Sequence, residues 1–197
     1  MGIDARYRAI PYEPLLERAM RDREAAEGAI QFFASLATDD VAKTPYWDDP
    51  IWLELAPVAR QIVRERPGIL DRTFSTRAWD AAYWLLAPNR RAGEGRIDDG
   101  LAENTVFGAE PFASGATGGQ GIALRFVRPA TARTVAQYVE NSLDVGDWRH
   151  FDVDAMEASG VYKCPWDLDY LLDLLAQYAR LYRLAADLDE CILVALD

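Results

Sequence analysis

Residues 165–197 read PWDLDYLLDLLAQYARLYRLAADLDECILVALD, and this stretch decides the fold class. Leu168, Leu171, Leu172, Leu175, Tyr178 and Tyr182 recur at helical spacing, and Leu174, Leu181 and Leu184 widen the stripe. A stripe that broad belongs to a helix packed centrally. Pro165 suits a first helical turn, where its missing N–H costs nothing, so the helix is expected from Pro165 to about Ala186. Cys191 to Leu196 then forms a near-continuous apolar run, the pattern of a strand covered on both faces.

The chain opens on a second strand signal. Ile3 to Ile10 alternates, with Tyr7 between Arg6 and Arg8, and Pro11 ends it. Two terminal strands in one chain of this length are expected to lie side by side. The fold class read from the residues is therefore α+β, a small sheet including both terminal strands and covered by several helices. The 197 residues are expected to form a single domain, with 12–67 as an elaborated helical segment.

Between the termini the spacing predicts further helices. Tyr12-Glu13-Pro14 opens one bearing Leu15, Leu16, Ala19 and Met20; Ile30, Phe33 and Leu36 either resume its stripe or begin another. A loop over 38–50 leads to a helix starting at Asp49-Pro50, with Trp52, Leu55, Ala59, Ile62 and Val63, stopped at Pro67-Gly68. Ile69 to Phe74 reads as a link, and Ser75 as the cap of a helix from Thr76 to Leu86, closed by Pro88 and Asn89. Residues 89–100 read as a polar loop, Leu101–Phe107 as helical or extended, Gly108–Gly121 as flexible and Ile122–Val127 as a strand. Thr131 is expected to cap a helix bearing Val135, Tyr138, Val139 and Leu143. Asp152–Ala158 is a short helix stopped by Gly160.

Half of the residues are hydrophobic, with six Trp, nine Tyr and seven Phe, so the composition forms a core. The formal net charge is −11 and the pI about 4.6. Such a surface repels phosphate backbones and anionic bilayers, which argues against nucleic-acid and membrane partners and admits a basic protein. Cys164 and Cys191 are too few for a disulfide framework. The first residues hold no apolar signal segment and no run approaches membrane length, so a cytoplasmic location is expected.

Individual motifs fall short of a catalytic constellation. The Gly-rich loop at Gly115–Gly121 lacks a following Gly-Lys-Ser/Thr and precedes a strand, unlike a phosphate cradle. His150 is the only histidine, which excludes a multi-histidine metal site. Cys164 precedes a helix beside Lys163, a setting that lowers a thiol pKa. Asp-x-Asp pairs occur at 152/154, 167/169 and 187/189; Asp167 and Asp169, early in the long helix, fit the preference for anions at helix starts, an account that covers most of these acids better than a cation site. No metal or cofactor is implied. Trp79 and Tyr83 share a helix face, and Tyr162 and Trp166 flank a helix start. These four form either core or the wall of a ligand pocket, with His150, Cys164 or Asp167 as its reactive group.

Several segments in order carry a family resemblance: Met1-Gly2 with Tyr7, Leu70-Asp71-Arg72, Ala78-Trp79-Asp80-Ala81-Ala82-Tyr83-Trp84-Leu85-Leu86, Val106-Phe107-Gly108, Leu124-Arg125-Phe126-Val127-Arg128-Pro129, Met156, Val161-Tyr162, Trp166, Tyr170-Leu171-Leu172 and Leu181 to Ala186. On these the chain resembles the YfbM-like family, bacterial domains known mainly as a fold. The resemblance spans nearly the whole length and implies a fold with no established reaction. Family members usually carry histidines near the helical Trp, where this chain has Asp80 and Tyr83, so no histidine chemistry carries over. The stretch 12–67 is longer and more charged than the family's. The functional expectation is a non-enzymatic acidic module engaging a basic protein, in the manner of an immunity protein or antitoxin. The acidic pairs at 39–40, 48–49 and 98–99 add to its motivation. The alternative is a small-molecule binder or enzyme using the aromatic pocket.

Overall fold

The computed structural model describes residues 2–31, 33–38, 50–87 and 100–197, apart from the side chains of residues 30 and 31. The acidic pairs at 39–40, 48–49 and 98–99, the polar loop over 89–99, the closing residues 88 and 89 and the Ile30 side chain lie outside them.

The two terminal strands do pair. Strand β1 (Ala5–Pro11) runs antiparallel to β5 (Glu190–Leu196), in register from Ala5 opposite Leu196 to Pro11 opposite Glu190. They sit inside a five-stranded sheet completed by β2 (Thr73–Thr76), β3 (Glu110–Pro111) and β4 (Arg125–Val127), in the order β2-β1-β5-β4-β3. Every described pairing is antiparallel. The fold is α+β.

Nine described helices in chain order cover this sheet: α1 (Glu17–Ala19), α2 (Arg23–Gln31), α3 (Phe33–Ala37), α4 (Pro50–Glu65), α5 (Trp79–Leu86), α6 (Leu101–Phe107), α7 (Pro129–Val145), α8 (Val153–Ala158) and α9 (Leu168–Asp187). They form two layers. Ile192, Val194 and Leu196 of β5 face one layer, packing with Tyr7 and with buried residues of α5, α6, α7 and α9. Cys191, Leu193 and Ala195 face the other, packing with Leu15, Phe33, Leu36, Trp52, Leu55 and Ala59. All seven β5 residues are buried. That is why its sequence reads as a continuous apolar run: successive side chains alternate between two dry layers. Each large side chain so buried contributes roughly 1.5–3 kcal/mol. The charged segment after β1 supplies the second layer, and its charges lie outward in i, i+4 pairs such as Arg21–Glu17 and Arg23–Glu27. Gly28 lies within α2, where an added Cβ would come 3.3 Å from Leu55 Cδ1, so the small residue lets α2 approach α4.

Several boundaries differ from the sequence reading. Glu13 is extended (φ −99°, ψ 147°), so the first helical run begins after it. The expected link over 69–74 contains a short 3-10 turn (Ile69–Asp71) and the first half of β2, and Ser75 lies in β2 rather than capping a helix. Thr76 Oγ1 instead accepts from the Ala78 N–H at 3.0 Å, and α5 begins at Trp79. Thr-Phe-Ser-Thr carries no apolar alternation; pairing with β1 makes it a strand. Pro129 begins α7, leaving Thr131 inside it. The long helix begins at Leu168, not Pro165, because the Asp167 carboxylate takes up its free N–H groups. The stretch expected to be flexible contains β3 and a tight turn on the last strand.

One buried charge ties the α4–β2 connection to the last strand. Glu190 is 0% exposed, and its Oε1 accepts from Arg66 at 3.1 Å and from Arg72. Two guanidiniums compensate a carboxylate that would otherwise be costly to bury.

Candidate functional site

The first turns of α5 bring three of the four expected aromatics together. Trp79 stacks on Tyr162 with ring centroids 5.7 Å apart and meets the edge of Phe107 at 5.7 Å. Tyr83, one turn on, meets the same Phe107 at 5.0 Å. Phe107, the last residue of α6, touches both rings of this helix face. Nothing in its local pattern distinguished it from ordinary core.

The polar ends of this cluster hold backbone. Trp79 Nε1 donates to the Ile3 carbonyl at 3.2 Å, and the Tyr162 hydroxyl accepts from the Ile3 N–H at 2.7 Å. Asp80 is 5% exposed, and its Oδ2 accepts from the Tyr162 N–H at 2.8 Å. The cluster therefore clamps the start of β1 and the loop before α9 onto α5. Its edge-to-face rings give the dispersion and quadrupole contacts expected of a packed aromatic core.

Trp166 stands apart at 82% exposure, and a side chain so open walls no enclosed cavity. It lies immediately before the Asp167 cap, where the chain turns into α9 and the indole has no layer to enter. Tyr170, in the first turn, is 47% exposed.

The three candidate reactive groups occupy separate settings. Asp167 accepts from the N–H groups of Asp169 and Tyr170, at 2.9 and 3.4 Å, as a helix cap. His150 Nε2 lies 3.3 Å from the Leu85 carbonyl oxygen, beside Trp148. Cys164 Sγ contacts Met156 Sδ at 3.8 Å. The expected lowering of its thiol pKa is reversed: burial pushes it up, and the Glu157 carboxylate adds to the rise. Burial outweighs the helix terminus because α9 begins four residues further on, beyond the reach of its first-turn dipole.

The Gly-rich loop folds against the chain's last residue. Gly119 N–H donates to Asp197 Oδ1 at 2.7 Å, and Gly118 N–H to the Ile122 carbonyl at 2.8 Å. A side-chain carboxylate thus occupies the donor that a phosphate reading would have needed.

Three surface cavities among the described residues have volumes of about 350, 340 and 180 Å³, and none is lined by any of the seven candidate residues. The second lies between the β2 edge and α9, against Phe74, Leu181 and Leu184. No cluster of three metal-capable side chains occurs among the described residues, and no described helix is long and apolar enough to cross a membrane.

One stretch of the described surface is strongly acidic. Between residues 144 and 173 the exposed acids are Asp144, Asp147, Asp152, Asp154, Glu157, Asp167, Asp169 and Asp173, against the exposed cations Arg149 and Lys163. Arg149 is bonded to Asp147 at 2.8 Å and holds that carboxyl at a pKa of about 2. Comparison of the chain with family models, curated proteins and solved structures finds no match. The YfbM-like resemblance therefore rests on the residues quoted for it.

Proposed function

We propose that the chain is an acidic binding module whose partner is a basic protein, of the immunity or antitoxin kind. The observation carrying this reading is the surplus of exposed carboxylates over 144–173, where Arg149 is already taken up by Asp147 and Lys163 faces the rest. Uncompensated surface charge of one sign raises encounter rates with an opposite surface and repels like-charged competitors. The packing of Trp79, Tyr83 and Tyr162 onto backbone of the same chain supports this reading over the aromatic pocket.

The test is capture from the native lysate by the tagged protein at low salt, repeated with Asp154→Lys/Glu157→Lys/Asp169→Lys. Basic proteins retained by the natural chain, released by salt and lost with the charge reversal are the expected result. Equal capture by both proteins, or none by either, removes the reading.

A further inference from the structure

The basic-partner reading leaves open which group anchors the contact, and the start of α9 supplies one. Trp166 is 82% exposed and Tyr170 47%, whereas Trp52 and Trp84 are 7% and 4% exposed. Exposed carboxylates flank this pair along the chain. Asp167 and Asp169 sit between them in sequence, and Asp173 follows Tyr170 by three residues on the same helix side.

An exposed Trp and Tyr rimmed by acids can attract either cation, but the two cations respond differently. A lysine ammonium is a compact, strongly hydrated point charge. A guanidinium is planar and weakly hydrated; it stacks on an indole while its edges bond carboxylates in bidentate fashion. We infer that Trp166 and Tyr170 form the anchor of a docking surface for an arginine-bearing segment of the partner, with Asp167, Asp169 and Asp173 as its acidic rim. The proposal rests on the basic-partner reading and adds the choice of arginine over lysine.

Labelled oligoarginine and oligolysine peptides of equal length, titrated by fluorescence anisotropy, test it. The natural chain should bind oligoarginine tighter by roughly two- to fivefold, the size of an exposed cation–π contact. Trp166→Ala should abolish that preference and Trp166→Phe keep part of it, while Asp169→Lys/Asp173→Lys should weaken both peptides. Trp166 is exposed, so its variants are expected to fold, which circular dichroism verifies. Equal affinity for the two peptides, or a preference that survives Trp166→Ala, overturns the anchor. If both bind equally and charge reversal weakens them, the acidic module stands without it; if neither peptide binds, the surface is overturned as well.

Discussion

The Tyr178 hydroxyl donates to the Tyr7 hydroxyl at 2.7 Å, joining the longest helix to the first strand across 171 residues of sequence. Tyr7 passes the bond on to the Val106 carbonyl at 2.8 Å, and Tyr182 bonds the Thr105 carbonyl at 2.9 Å. Of these three fully buried phenols, Tyr178 is thus satisfied by Tyr7, while Tyr7 and Tyr182 close on carbonyls of α6. A buried hydrogen bond contributes about 1 kcal/mol net, whereas an orphaned partner costs roughly 1–3 kcal/mol.

Tyr7→Phe should therefore destabilise more than Tyr178→Phe. The first leaves both the Tyr178 donor and the Val106 carbonyl without their partner, about 2–4 kcal/mol in total; the second removes a donor and leaves Tyr7 bonded to Val106, about 1 kcal/mol. Urea unfolding of the two single variants and the double variant measures the coupling. Equal losses from the two single changes would mean that the chain of bonds is not cooperative.

The same phenols set an alkaline limit. Burial raises the pKa of Tyr7, Tyr178 and Tyr182 above the ordinary value of 10. Above pH 10 the unfolded chain releases these protons while the folded chain keeps them, so stability is full below pH 10 and falls as pH rises toward the folded values. Unfolding free energy measured from pH 8 to 12 should decline beyond about 10, less steeply for Tyr182→Phe, which has one such phenol fewer. A flat profile across that range would contradict the burial of all three.

The two thiols should separate cleanly in a labelling experiment. Burial raises Cys164, and it pushes Cys191 up to about 12. Since the thiolate is the reactive form, a disulfide reagent at pH 7 should modify Cys164 more slowly than a free thiol, and Cys191 only with unfolding. Fast stoichiometric labelling of Cys164 in the folded protein would revive it as a nucleophile.

Gly118 should be the least replaceable residue of its loop. A Cβ there would lie 2.6 Å from Asp197 Oδ1 and 2.7 Å from the Leu196 carbonyl oxygen, whereas at Gly119 the nearest atom is 3.7 Å away. Gly118→Ala must displace backbone of the central strand and should cost about 1–3 kcal/mol, the range for overpacking, while Gly119→Ala should stay within about 0.5 kcal/mol. Thermal denaturation of the pair decides; similar midpoints would show the turn to be loosely held.

By itself the sequence determined the features that local pattern carries. The stripe from Leu168 to Tyr182 declares a buried helix face and the run from Cys191 to Leu196 a strand with no wet side, because each depends on residues near in the chain; the net charge of −11 is a property of composition alone. Tertiary structure alone decided that Thr73–Thr76 is a strand, since its hydrogen bonds come from β1, far away in sequence. It also divided the aromatics. Trp79, Tyr83 and Tyr162 gather around Phe107 with their polar ends closed on Ile3, while Trp166, alike in composition, is left in solvent. Burial is a property of neighbours brought from elsewhere in the chain, and the identity of a side chain does not contain it.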